Sequence, residues 1–99
     1  MKVVLEFSGG LELLFGGEKE ICCDVEPQSE GAPVTVRSVM FHARDKLLQD
    51  RPELFMKGDT VRPGVLVVVN DCDWELTGKD ETPVEDGDRI SFISTLHGG

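Results

Sequence analysis

The segment Ser94-Thr95-Leu96-His97-Gly98-Gly99 closes the sequence with two glycines and a carboxylate. Glycine has no side chain to block a narrow channel, it adopts φ and ψ values closed to other residues, and it leaves its carboxylate unhindered. Those properties suit an end that another enzyme draws into its active site and activates. The rest of the chain holds no competing chemistry. His42 and His97 have no serine or cysteine nucleophile that the spacing brings near them. Cys22, Cys23 and Cys72 show neither CxxC spacing nor a histidine pair, so zinc is not indicated and free thiols acting as small apolar side chains are expected. Gly9-Gly10 and Gly16-Gly17 lack the lysine of a phosphate loop and the dinucleotide spacing, and read as turns. The acidic runs DCDWELTGKDE and EDGD alternate carboxylates, but their flanks are strands, whereas a calcium loop of the EF-hand kind sits between helices. No catalytic residue, resident metal or bound cofactor is expected, and the chain reads as something other than an enzyme.

A glycine pair at an end is weak evidence alone, because chain ends are often glycine. Its meaning depends on the elements in front of it. Lys2 to Phe7 carries strand formers, and Gly9-Gly10 followed by the apolar LELLF predicts a β-hairpin, with Lys19 to Val25 as a return strand. If that return is a strand, Cys22 and Cys23 face opposite ways, one buried and one exposed. EPQSEGAPV is a loop. Thr35 can cap a helix in which Val36, Val39, Met40, Ala43 and Leu47 fall within a fan of about 100°, with Ser38, His42 and Asp45 opposite and Phe41 and Leu48 on one flank. The helix should stop before Pro52, and RPELF should turn with Leu54 and Phe55 packed inward. GVLVVVN has the branching and length of a central strand buried on both faces. Asn70 and Asp71 should turn the chain into a short strand bearing Trp74 and Leu76, and Glu85 to Asp88 should turn it into a last strand with Ile90, Phe92 and Ser94 on one side. The order predicts an α+β roll, one helix against a mixed sheet, with the apolar last strand inside the sheet.

Length and charge limit the partners. Ninety-nine residues make one domain able to bury an ordinary core, with 39% hydrophobic residues including five phenylalanines. Ten basic against nineteen acidic residues give a net charge of −9, which repels phosphates and favours basic protein surfaces, so no direct nucleic-acid binding is expected. No apolar run approaches the length of a membrane span and nothing resembles a secretory signal, so a cytoplasmic protein with access to the nucleus by diffusion is expected.

On its residues the chain resembles the ubiquitin-related modifier family, eukaryotic β-grasp proteins similar to ubiquitin and to bacterial sulfur carriers. The matching segments are VLEFSGGLELLF from Val4 to Phe15, RPGVLVVVNDCDWELTG from Arg62 to Gly78, and EDGDRISFISTLHGG from Glu85 to Gly99. The loop VEPQSEGAPV and the doublet Cys22-Cys23 depart from the pattern. The resemblance implies a ubiquitin-like β-grasp roll with a mixed sheet of four to five strands and one main helix, residues 1–95 forming the domain and 96–99 a projecting tail. It implies that a ubiquitin-activating-type adenylyltransferase and sulfurtransferase, using ATP, recognises Gly98, His97, Leu96 and Thr95 and converts Gly99 to a thiocarboxylate. The sulfur would pass to a tRNA thiolase complex that modifies the wobble uridine, and the same end would conjugate to lysines of target proteins; the carrier itself is expected to be a monomer. Two other readings remain on the same fold: a non-covalent interaction module that presents EDGD to a lysine-rich face, and a carrier for molybdopterin synthesis.

Overall fold

The computed structural model describes residues 1–27 and 29–95. Strand β1 (Lys2–Ser8) turns its Val3, Leu5 and Phe7 inward and its even-numbered residues outward, the period of a half-buried strand. It pairs antiparallel with β2 (Glu20–Asp24) and parallel with the last strand, β7 (Arg89–Ser94). The other edge of β7 pairs antiparallel with β5 (Val65–Val69), and β6 (Cys72–Asp73) closes the series in the order β2-β1-β7-β5-β6. The last strand therefore lies inside a five-stranded mixed sheet, as its apolar character requires. A short separate hairpin, β3 (Met56–Lys57) with β4 (Thr60–Val61), was not foreseen, because two-residue strands carry no periodic signal.

Helix α1 (Val36–His42) lies on the core side with Val36, Val39 and Met40 fully buried. Its first turn is held from outside: the Val36 N–H donates to the Thr82 carbonyl at 3.0 Å, and the Val84 N–H donates to the Val34 carbonyl at 3.0 Å. Ser38, placed on the polar side by periodicity, is instead buried, and its Oγ accepts from the Thr35 N–H at 3.2 Å in a capping box. The following turn, Ala43–Leu47, widens, with the Leu48 N–H reaching the Ala43 carbonyl five residues back at 2.8 Å. That widening lets both Leu47 and Leu48 pack on the core.

Three further expectations are corrected. Leu11–Phe15 forms a short 3₁₀ helix rather than a strand, with left-handed Gly10 before it and left-handed Gly16 after it; the hairpin is made by β1 and β2. The Gly pairs reverse the chain too tightly for LELLF to lie beside β1, and coiling lets Leu11, Leu14 and Phe15 all face inward. Trp74–Leu76 is likewise 3₁₀, so Trp74 is buried while Leu76 is 84% exposed. Strand β5 is buried on one face only: Val65, Val67 and Val69 are buried but Leu66 is 48% exposed, because the helix covers one side of the sheet.

Phe7, Phe15, Phe55 and Phe92 meet at the centre. Phe7 stacks on Phe15 with ring centroids 3.9 Å apart and on Phe92 at 5.7 Å, while Phe55 stands edge-on to Phe15 and Phe92, at 5.3 Å from each. The cluster ties the first strand, the 3₁₀ turn, the segment after the helix and the last strand into one core. Truncation of Phe92 to alanine should cost about 3–5 kcal/mol in urea denaturation, whereas Leu76→Ser should stay within about 0.5 kcal/mol of the parent.

Candidate functional site

Leu96, His97, Gly98 and Gly99 lie outside the described residues, and the structure describes the root from which they continue. At that root β7 leaves the sheet between two fixed neighbours. The Thr95 N–H and Thr95 Oγ1 both donate to the Gly64 carbonyl, at 2.9 and 2.6 Å. Thr95 is itself exposed, so it marks the last clamp before the segment 96–99. On the other side, Gly9 approaches so closely that a Cβ built there would stand 2.2 Å from the Ser94 carbonyl oxygen, and its φ is +71°. Glycine is required twice over at that position, for the left-handed backbone and for the contact.

Beside the root opens a groove of about 420 Å³ whose apolar lining comes from Leu11, Leu13, Leu14 and Leu54, with Arg51 and Arg62 on its rim. Leu13 is 72% exposed, an unusual position for a leucine and one the LELLF pattern alone did not mark. Among the described residues neither guanidinium is in an ion pair. Arg62 precedes Pro63 and Gly64, so the chain that clamps Thr95 also supplies one wall of this groove.

Several other charges do structural work. Arg89 bridges Glu6 at 2.8 Å and Glu20 at 2.6 Å, and Ser91 Oγ donates to Glu6 at 2.8 Å, so polar groups on the open face tie β7, β1 and β2 together. The hydrogen bond to Glu20, followed by the charge of Glu6, raises the Arg89 guanidinium above its ordinary value. The acidic turn is also occupied within the molecule. Asp86 accepts from the Lys2 N–H at 2.7 Å, and Asp88 accepts from the Glu85 N–H at 2.8 Å and from Asn70 Nδ2 at 2.9 Å. EDGD is thus formed as a turn, with Glu85 and Asp86 exposed on it. At the start of the chain the Met1 ammonium donates to Asp24 at 2.7 Å; that bond holds the Asp24 carboxyl below its usual range and raises the ammonium.

Among the described residues the candidates are not gathered into a catalytic set. His42 sits half-buried on α1, and among the described residues no group of three histidines, cysteines or carboxylates is placed to hold a metal. The cysteines are free; Cys22 and Cys72 are exposed and Cys23, on the opposite face of β2 from Cys22, is half-buried. Burial pushes the Cys23 thiol up, and the neighbouring Cys22 and Asp24 charges add to the shift.

Comparison with known proteins follows this geometry. The family model described as Urm1 (Ubiquitin related modifier) matches residues 2–99. The chain is 57% identical over 99 residues to a ubiquitin-related modifier 1 homolog of Chlamydomonas reinhardtii, covering 100% of this chain and 99% of that one. It is 52% identical over 101 residues to ubiquitin-related modifier 1 homolog 1 of Arabidopsis thaliana, with 100% of both covered. The solution structure of Urm1 from Trypanosoma brucei superposes with a TM-score of 0.81 at 35% identity, covering 99% of this chain and 95% of that one.

Two measurements test the root and the thiols. Gly17→Ala, where φ is +82° and space is open, should lose about 1 kcal/mol to backbone strain in a denaturant titration, and Gly9→Ala at least about twice that. Iodoacetamide at neutral pH, followed by peptide mass analysis, should label Cys22 and Cys72 before Cys23, because a raised thiol holds less thiolate at a given pH.

Proposed function

The chain belongs to the ubiquitin-related modifier family, and on that premise we propose that Gly99 is its working end and that residues 1–95 are the handle by which other proteins grip it. The observation that carries the reading is the family match running through residue 99, so that it includes the glycine pair beyond the Thr95 clamp. A carboxylate is a poor electrophile. Attack of the Gly99 carboxylate on the α-phosphate of ATP, in the active site of a ubiquitin-activating-type partner, expels pyrophosphate and gives an acyl-adenylate with a good leaving group. The terminal sulfur of a partner persulfide then attacks the acyl carbon and releases AMP, and cleavage of the resulting S–S bond by a thiol leaves a C-terminal thiocarboxylate.

That thiocarboxylate donates sulfur to a tRNA thiolase complex for 2-thiolation of the wobble uridine, and the activated end also forms isopeptide bonds with lysines of target proteins. In this scheme ATP and every catalytic group belong to partners, and the handle, a cytoplasmic monomer, contributes position. Thr95, Leu96, His97 and Gly98 guide the end into the partner's channel, and the groove beside the root offers that partner Leu13, Arg51 and Arg62 as contacts. The net charge of −9 directs the carrier toward proteins and away from RNA, which the thiolase handles.

Deletion of Gly98-Gly99 should abolish both ATP-dependent pyrophosphate release by the activating enzyme and wobble thiolation in cells; survival of both would overturn the reading. A chain extended by one residue beyond Gly99 should release no pyrophosphate until the extra residue is trimmed. The intact mass of protein isolated from cells should show replacement of one oxygen by sulfur at the C-terminus. Loss of molybdoenzyme activity with thiolated tRNA retained, in cells lacking the protein, would instead favour molybdopterin synthesis.

A further inference from the structure

We propose that the outer edge of β2 accepts an extended segment of a partner protein as an additional strand, with the pattern basic-x-apolar-x-basic. The hydrogen-bond parity of the β1–β2 ladder exposes this edge. The Phe7 N–H donates to the Lys19 carbonyl at 2.9 Å and the Val25 N–H to the Met1 carbonyl at 2.8 Å, with Leu5 opposite Ile21 and Val3 opposite Cys23. Alternate residues of an antiparallel strand bond to the same neighbour, so Lys19, Ile21, Cys23 and Val25 turn their backbone groups toward β1. The N–H and C=O groups of Glu20, Cys22 and Asp24 point the other way, off the sheet. Among the described residues nothing bonds to them. A row of unsatisfied, evenly spaced donors and acceptors is matched by one kind of object, another extended backbone.

Side chains then select the segment. Glu20, Cys22 and Asp24 are exposed on the open face of the sheet, acidic at each end and apolar in the middle. Around Cys22 lies a depression of about 470 Å³ lined by Lys2, Val3, Val4, Cys22, Cys23, Asp24 and Gly87. A strand laid along the edge places one residue opposite each of the three. Glu20 is already bridged to Arg89 and Asp24 to the Met1 ammonium, so a basic side chain at either end shares a carboxylate with one cation and is drawn further by Glu18 and Glu26 beyond the strand, while an apolar one would enter the depression at Cys22. The pattern reads the same in both directions, so it holds whether the added strand is parallel or antiparallel. Glu18 and Glu26, just beyond the strand, join no ion pair among the described residues and extend the attraction for a basic segment.

A second copy of this chain is the wrong occupant. Antiparallel pairing of β2 with itself about Cys22 would set Glu20 opposite Asp24 twice, and like charges directly opposite destabilise a ladder. The edge also lies two strands from β7, roughly 10 Å at ordinary strand spacing. A segment held there leaves the Thr95 exit uncovered, so this docking is independent of the chemistry proposed for Gly99.

The test uses the full isotope-labelled chain and a capped peptide of sequence KTVTK at millimolar concentration. Amide exchange at Glu20, Cys22 and Asp24 should slow by about tenfold or more as their N–H groups enter a ladder, while the charge-reversed peptide ETVTE should leave it unchanged. Cys22→Pro removes the central outward N–H, at an edge position where proline leaves the bonds to β1 intact, and should abolish the protection. Should that variant unfold, Glu20→Lys serves in its place and should weaken the response to KTVTK while permitting one to ETVTE. Absence of protection at the three amides, or equal binding by folded Cys22→Pro, overturns the proposal. Protection that grows with protein concentration when no peptide is present identifies a second copy as the occupant and overturns it as well.

Discussion

The last strand is hydrogen-bonded along both edges, and most of the molecule follows from that constraint. A strand in the middle of a sheet must satisfy two neighbours at once, so β7 is parallel to β1 and antiparallel to β5, each through five residue pairs. Parallel pairing of the first and last strands requires the intervening chain to cross the sheet, and α1 makes that crossing on the covered face. Phe92 sits between Phe7 on one neighbour and Val67 on the other, so the register of β7 is fixed by packing as well as by the ladder. A slip of one residue would turn Ile90 and Phe92 to solvent and Ser91 to the core.

The covered and open faces have separate tasks. Below the sheet, four phenylalanines and the helix stripe supply apolar burial. Above it, Arg89, Glu6, Glu20 and Ser91 form a polar network across three strands; its members are half-exposed, so its worth lies more in register than in stability. The root of the tail stands where the two faces meet. Gly9 closes in from one side, Gly64 receives Thr95 from the other, and the leucine-lined groove lies alongside.

Elements whose signals are local were legible in the sequence. The strands ending at Phe7 and Ser94, the helix stripe and the turns at Asn70-Asp71 and Gly87 each follow from periodicity or from residues that tolerate positive φ. Where the reading failed, tertiary context decided. LELLF has the composition of a strand, but left-handed Gly10 and Gly16 hold it as a single coil; Ser38 looks polar and is buried, its hydroxyl satisfied at the helix cap by the Thr35 N–H. At the candidate site the glycine pair was legible as a sequence motif, and Thr95 in front of it proves to be the clamp residue. The contact between Gly9 and Ser94 was not, since residues eighty-five positions apart leave no mark on each other's spacing. The groove-lining Leu13 was hidden for the same reason, within a segment assigned the wrong local geometry.

The two-sided attachment of β7 has a mechanical consequence. A protein handled by its end is pulled along the axis of its last strand. Hydrogen bonds to β1 and β5 run across that axis, so tension at Thr95 loads both ladders in shear, many bonds together, instead of peeling them one at a time from an edge. The paired bonds from Thr95 to Gly64 meet the load first and pass it to β5, while the interlocked phenylalanine rings resist sliding of β7 past β1. The fold is therefore braced against tension along the axis of its last strand.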